Sequence, residues 1–115
     1  VTGAESARRL RNETGCDGVM VARAGFGDPW LIRRILENDD TLFPGPAERL
    51  AVILDHFARH LAFMPERAAV TSFRKHVGPY VKGLRGASAF RDHAMRIAKA
   101  QDLAEAFKAF FSTVA

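Results

Sequence analysis

A glycine-containing loop with one arginine is the first place where this sequence could bind a charged ligand. Residues 23–28 read RAGFGD and directly follow the apolar run at residues 19–22. Glycine lets the backbone approach a ligand closely, and free N–H groups near Ala24 and Gly25, with the Arg23 guanidinium, suit a phosphate. The alternative is a glycine-rich turn with a structural ion pair. The position between a strand and a helix favours the phosphate site.

A second candidate site is the basic group at residues 74–85. It contains Arg74, Lys75 and His76 in succession, followed by Lys82 and Arg85. Three consecutive residues fan around a helix, so at least two should meet solvent or a partner. Arginine and lysine suit the phosphate oxygens of nucleic acid, and we predict RNA contacts here. The alternative is a charged face, and for His76 itself we favour a hydrogen bond between helices.

The remaining histidines and the single cysteine predict no further chemistry. His56 and His60 lie four residues apart, a spacing that helical metal ligands share. No glutamate follows the first histidine and no carboxylate is obviously placed as a third ligand. We therefore predict a surface pair or hydrogen bonds between helices, and no metal site. Cys16 precedes the predicted strand, away from the end of a barrel where ligands bind, and we interpret it as a packing thiol.

The basic charge is concentrated in one segment. The net charge is +4, yet residues 66–99 contain eight Lys and Arg against two acids. Residues 1–46 contain six Arg against seven acids. Such a concentration suits an anionic partner, with nucleic acid first, although a solvated arginine-rich surface explains the charge equally well. No apolar run is long enough to span a bilayer, so we predict no membrane partner.

The first part of the chain predicts a helix, a strand and a second helix. Residues 4–13 have helical spacing, and the apolar run at 19–22 is typical of a strand buried on both faces of a parallel sheet. Residues 29–37 predict a helix with Asp28 as its N-cap and Pro29 at its first position. Because a lone strand cannot satisfy its backbone groups, we expect the other strands upstream. The absence of an initiator Met favours the same expectation.

The rest of the chain predicts a small helical bundle. Two prolines and a glycine at residues 44–46 suggest a boundary there. We predict helices at residues 47–63, 66–77, 87–98 and 102–113. Gly78 and Pro79 should interrupt the second of these, since proline lacks an N–H and clashes with the previous turn, and Tyr80 to Lys82 would continue it after a kink. The predicted fold is mostly α, with about four bundled helices after a helix–strand–helix segment.

Two stretches resemble bacterial tRNA-dihydrouridine synthases. Residues 14–30 read TGCDGVMVARAGFGDPW and resemble the last strand and flavin-phosphate loop of that family. Residues 74–87 read RKHVGPYVKGLRGA and resemble the signature of its helical domain. The two stretches occur in the family's order and are separated by a helical segment of the right size.

The resemblance implies a fold and a division of labour. Residues 1–44 would be the C-terminal remnant of an FMN-binding (β/α)8 TIM barrel, and residues 45–115 a helical tRNA-binding domain. The family reduces tRNA uridine to dihydrouridine with FMN and NADPH. The FMN phosphate would be held by Ala22, which stands where the family usually has glycine, and by Arg23, Ala24 and Gly25. The RNA contacts would be Arg74, Lys75, His76, Lys82 and Arg85.

The resemblance also indicates what this chain lacks. The family's catalytic cysteine lies on an upstream barrel loop, and Cys16 does not match it. We therefore expect no catalytic residue here, no activity from the chain alone, and a missing N-terminal barrel of the same protein as partner. The exposed barrel remnant could pair with another copy. A single free thiol fits a cytoplasmic location.

Two other functions remain open from the sequence. One is the C-terminal piece of another FMN-dependent TIM-barrel oxidoreductase that acts on a small molecule. The basic segment and the RKH stretch argue against it. The other is a non-enzymatic helical interaction module, which leaves the apolar run and the phosphate-type loop unexplained.

Overall fold

The computed structural model describes residues 1–114 and contains six α-helices in that range. None of these six helices combines the length and the apolar character that crossing a membrane requires. The chain divides into two compact units, Val1–Phe43 and Pro44–Ala115. The helices are α1 (Ala4–Thr14) and α2 (Trp30–Glu37) in the first unit, then α3 (Pro46–Phe63), α4 (Glu66–Val81), α5 (Ala87–Ala94) and α6 (Ala100–Thr113). The predicted mostly α architecture is confirmed.

The predicted strand at residues 19–22 does not form. No residue between 1 and 114 is in a β-strand, and residues 18–22 run as irregular chain into a single 3₁₀ turn, Arg23–Gly25. A strand exists only when a neighbouring strand accepts and donates its backbone hydrogen bonds. The described residues offer no such neighbour. Met20 is consequently 80% exposed, although its apolar character suits a sheet interior.

The first unit is built on the contact between α1 and α2. Ala4 and Ala7 of α1 are buried, as are Trp30 and Leu31 of α2. The start of α1 is capped from a distant point in the sequence, because the Asp40 carboxylate accepts hydrogen bonds from the Ala4 N–H (2.6 Å) and the Glu5 N–H (3.1 Å). These bonds satisfy two of the donors that a helix N-terminus leaves unpaired.

Asp28 has a different role from the predicted N-cap of α2. The helix begins at Trp30, its N-cap position is taken by Pro29, and no side-chain bond caps it there. Instead the Asp28 carboxylate forms an ion pair with Arg34, which is only 4% exposed. The Arg34 guanidinium also donates to the Leu42 carbonyl (3.2 Å) and lies 4.5 Å from the centre of the Phe43 ring. Arg34 therefore ties α2 to the segment that follows it.

The second unit is a four-helix bundle in which α4 contacts α3, α5 and α6. Its core contains the largest fully buried side chains of the unit: Ile53, Val70, Phe73, Val77, Val81, Leu103 and Phe107. Polar bonds join the helix ends as well. The Glu66 carboxylate accepts a hydrogen bond from the Ala100 N–H (2.8 Å) at the start of α6. Arg49 of α3 donates to the Tyr80 carbonyl (3.2 Å) near the end of α4.

The predicted interruption at Gly78 and Pro79 is wrong, because α4 continues through both residues to Val81. A proline disfavours the helical conformation of the preceding residue mainly by clashing with its Cβ and N–H. Gly78 has no Cβ, which removes part of that clash. The predicted third helix of the bundle is also too long: α5 ends at Ala94, and residues 95–98 form a turn before α6.

Candidate nucleic-acid interface

The three consecutive residues Arg74, Lys75 and His76 point in three directions from α4. Lys75 is exposed, whereas Arg74 and His76 are half-buried. All three side chains keep some access to solvent, as predicted for at least two of them, but only Lys75 is exposed. The physical reason is that α4 packs against α3 on one side and against α5 and α6 on another, which leaves only a narrow part of its surface open.

Arg74 binds within the protein. Its Nη2 donates to the Ile97 carbonyl (3.1 Å), in the turn between α5 and α6. Its Nε is buried and has no hydrogen-bond partner among the described residues. Because its guanidinium is hydrogen-bonded to the turn between α5 and α6, Arg74 stabilises the bundle. The same guanidinium is less available to a phosphate than that of an exposed residue.

A third cation, Arg91, lies on the same side of the bundle as Lys75 and Lys82, and the sequence did not indicate this. A Cβ at position 78 would lie 3.3 Å from the Arg91 Nε, so the Arg91 side chain of α5 crosses α4 at Gly78. Gly78 follows Lys75 by three residues and precedes Lys82 by four. At 3.6 residues per turn these positions fall within about 60° of arc on α4. We call Lys75, Lys82 and Arg91 the basic strip.

Most of the basic residues in the 66–99 segment are accessible. Seven of its eight Lys and Arg side chains are exposed, Arg74 being the exception. Within the part of the chain that the structure describes, none of the eight forms an ion pair. Arg85 is exposed on the turn between α4 and α5, which contains the two glycines with positive φ, Gly83 and Gly86. This surface therefore keeps its positive charge, which phosphates attract.

His76 faces α3, where it meets His56 and His60. The ring centre of His76 lies 4.5 Å from that of His56 and 5.6 Å from that of His60. The His56 Nδ1 lies 2.8 Å from the Tyr80 hydroxyl oxygen. Burial, followed by the neighbouring charges of His56, Lys75 and His60, lowers the pKa of His76 to about 4. Burial is also the main cause that lowers the pKa of His56. His76 is thus neutral at pH 7 and is a weak candidate for a phosphate contact.

The loop predicted to hold a phosphate is a short, open turn. The Gly25 N–H donates to the Ala22 carbonyl (3.1 Å), so this N–H is used within the loop. Arg23 and Ala22 are exposed, and Ala24 and Gly25 are half-buried. Among the described residues Arg23 forms no ion pair. An accessible guanidinium beside small side chains fits an anionic group.

Comparison with known proteins places the whole chain in one family. The family model for dihydrouridine synthase (Dus) matches residues 1–115. The probable tRNA-dihydrouridine synthase of Rickettsia conorii is 33% identical over 95 residues, which cover 79% of this chain and 29% of the relative. The tRNA-dihydrouridine synthases B of Pseudomonas aeruginosa and Pseudomonas putida are 32% and 34% identical over 112 and 116 residues. These alignments cover 94% and 97% of this chain and 34% of each relative.

The chain therefore spans about a third of the length of these curated relatives. The match extends over both compact units, including the 22–25 loop and the helical bundle. The resemblance that the sequence suggested is confirmed. The chain belongs to the dihydrouridine synthase family.

Proposed function

We propose that this chain forms the flavin-loop and tRNA-holding part of a tRNA-dihydrouridine synthase. The enzyme would reduce the C5=C6 bond of uridines in tRNA to give dihydrouridine, with NADPH as the source of reducing equivalents. Membership of the family supports the reaction class. The relatives are named as synthases that act on tRNA, which supports the substrate.

The observation that carries the proposal is the basic strip. Lys75, Lys82 and Arg91 are exposed, follow one side of α4, and form no ion pair among the described residues. Cations arranged in this way attract the RNA backbone without reading its sequence. In this account Lys75 and Lys82, with Arg85 and Arg91, contact phosphates, and Arg74 and His76 position α4 within the bundle.

The residues of the 22–25 loop fit the phosphate of FMN. Arg23 supplies an exposed cation, and Ala22, Ala24 and Gly25 leave space for a bulky anion. When bound, FMN supplies the hydride transfer from NADPH to the uracil ring. The role of this chain in that reaction is to hold the phosphate end through Arg23 and to orient the tRNA through the basic strip.

The first unit has an exposed apolar surface, which favours the presence of another segment of the protein that covers it. A groove of about 520 Å³ lies between α1, α2 and residues 17–21. Its walls include Val19, Val21, Ile35 and Leu36, and Leu36 is 80% exposed. We propose that strands of a TIM barrel cover this surface and that a loop of the same barrel supplies the catalytic cysteine, in a cytoplasmic enzyme. Without those strands the same surface favours self-association.

The reaction itself can be tested with purified full-length protein and tRNA that lacks dihydrouridine. We expect NADPH-dependent conversion of uridine to a product heavier by two hydrogen atoms, measured by mass spectrometry of digested tRNA. Purified protein should also carry a flavin that is visible in its absorption spectrum. The Arg23→Ala variant should lose most of that flavin and the activity that depends on it.

The matched control for the flavin site is Arg33→Ala. Arg33 is an exposed arginine of α2 in the same unit, and its guanidinium pairs with Glu37 (3.3 Å). This variant should retain flavin and activity. Oxidation of NADPH with a small molecule as acceptor, and no product in tRNA, would overturn the proposal in favour of another flavin-dependent oxidoreductase.

A further inference from the structure

Three histidines from two helices meet on one side of the bundle. His56 and His60 lie one turn apart on α3, and His76 approaches them from α4. One ring nitrogen of each residue lies within 4.8 Å of one ring nitrogen of each of the others. The spacing in the sequence predicted only that His56 and His60 are neighbours. The third member becomes a neighbour only because α3 packs against α4.

The spacing of the three nitrogens is close to that of a metal site. Imidazole nitrogens bind zinc at about 2.0–2.1 Å, which places two ligands of a tetrahedral ion roughly 3.3 Å apart. The three rings would close on an ion by small side-chain rotations. Imidazole is a preferred ligand of zinc, copper, nickel and cobalt, whereas calcium and magnesium select oxygen ligands.

The surroundings of the three rings favour ligation from the solvent side. Phe73 is fully buried, and its ring centre lies 4.9, 5.2 and 5.4 Å from those of His56, His60 and His76. This ring closes the inner side of the cluster. All three histidines are half-buried, so their outer side is accessible to an ion and to a water molecule as a fourth ligand.

Tyr80 supplies the kind of outer partner that metal-binding histidines have. Its hydroxyl oxygen lies 2.8 Å from the His56 Nδ1, so it can accept a hydrogen bond from that nitrogen and leave the Nε2 lone pair for an ion. Metal ions bind the neutral form of imidazole.

We propose that His56, His60 and His76 bind one divalent transition-metal ion of the zinc, cobalt or nickel type. The ion would link α3 to α4 and so fix the helix that carries Lys75 and ends directly before Lys82. The inference does not depend on the proposed enzymatic function, because the site lies within one compact unit and contains no residue of the flavin loop.

The test uses the 115-residue chain prepared without a polyhistidine tag and treated with a chelator. Titration with Zn²⁺ in a calorimeter should show one ion per chain with a dissociation constant in the micromolar range or below. Co²⁺ should give visible absorption bands of a four-coordinate ion. Thermal unfolding should shift to higher temperature with Zn²⁺, since an ion that binds only the folded state stabilises it.

Single substitutions locate the site. His60→Asn should weaken Zn²⁺ binding at least tenfold, and Tyr80→Phe should weaken it about tenfold, as loss of an outer partner does. The matched control is His93→Asn, because His93 is the one histidine outside the cluster and is exposed. That variant should bind Zn²⁺ as the wild type does.

A measurement on the wild type alone guards against variants that fail to fold. Co²⁺ should shift or broaden the NMR signals of the His56, His60 and His76 rings and leave that of His93 unchanged. The proposal is overturned if the tag-free wild type shows no Zn²⁺ binding with a dissociation constant below about 100 μM. It is also overturned if binding survives the His60→Asn substitution or if Co²⁺ perturbs only His93.

Discussion

The Nδ1 atom of His56 lies 2.8 Å from the hydroxyl oxygen of Tyr80, so a polar contact joins α3 to α4 at the edge of the bundle core. Tyr80 is only 4% exposed. Burial raises the pKa of its phenol, which therefore stays neutral at physiological pH. The pair is thus a neutral hydrogen bond between a buried hydroxyl and a half-buried ring.

Removing the Tyr80 hydroxyl should destabilise the helical unit. We expect Tyr80→Phe to lower the free energy of unfolding by about 1 kcal/mol, because a buried hydrogen bond contributes roughly that amount and the ring keeps its packing. Urea unfolding followed by circular dichroism, in the absence of metal ions, measures the change. A variant as stable as the wild type would show that His56 finds another partner, such as water.

Arg34 and Arg33 form a matched pair for testing the first unit. Arg34→Met removes a buried guanidinium that pairs with Asp28 and donates to the Leu42 carbonyl. We expect a loss of about 2–3 kcal/mol, less than for a fully buried pair because the Asp28 side chain is 32% exposed and can be hydrated. Arg33→Met removes an exposed ion pair and should cost less than about 0.5 kcal/mol.

The single tryptophan makes this comparison direct. Trp30 is the only one in the chain and is buried in the first unit, so its fluorescence follows unfolding of that unit. Equal stabilities of Arg34→Met and Arg33→Met would contradict the role assigned to Arg34.

Pro79 limits the stability of α4. It lies inside a continuous helix and cannot donate to the carbonyl of Lys75. Pro79→Ala restores that hydrogen bond but increases the freedom of the unfolded chain. We expect a net gain of about 1–2 kcal/mol in the free energy of unfolding, measured by circular dichroism. A loss of stability would mean that the proline ring is needed for packing against its neighbours.

The cap that Asp40 provides should depend on pH. Hydrogen bonds from the Ala4 N–H and then the Glu5 N–H lower the pKa of Asp40 below its ordinary value of 3.8. Because the folded pKa is below the unfolded one, this carboxylate stabilises the fold above pH 3.8, and the contribution disappears as the pH falls through the folded pKa. The amide NMR signals of Ala4 and Glu5 should titrate together with a midpoint below 3.8.

The Asp40→Asn variant provides the comparison. Its side chain has no proton to gain, so the two amide signals should lose this titration. Persistence of the titration in the variant would assign it to another acidic group.

Helices were predictable from the sequence where the spacing of apolar residues along one helix face is enough to identify them. α3 begins with Pro46, α4 begins directly after Pro65, and the glycines at residues 83 and 86 mark the turn after α4. The extension of α4 through Gly78 and Pro79 was not predictable, since it depends on how a proline is tolerated within the packed bundle. The apolar run at 19–22 has the composition of a strand, but a strand requires neighbours that the described residues lack.

In the candidate sites, too, some features were predictable from the sequence and others depend on packing between helices. Exposed Lys75, Lys82 and Arg85 were predictable from charge alone. The contact of Arg74 with Ile97 and the crossing of Arg91 over Gly78 arise from packing between helices. A glycine in mid-helix close to basic residues is the only signal that could have pointed to Arg91.

The central claim is that the basic strip holds tRNA, and the salt dependence of tRNA binding tests it most directly. The triple variant Lys75→Ala/Lys82→Ala/Arg91→Ala is compared with Arg33→Ala/Arg59→Ala/Lys108→Ala. The control removes the same charge from exposed cations that already have carboxylate partners. Circular dichroism checks that both variants are folded.

We predict that the wild-type chain binds tRNA more weakly as salt rises and that the strip variant loses at least about tenfold in affinity at low salt. Its log–log salt slope should become shallower by roughly 2–3, about one for each lost phosphate contact. The control should keep a slope and an affinity close to those of the wild type. A strip variant that binds tRNA with the wild-type affinity and slope would contradict the account.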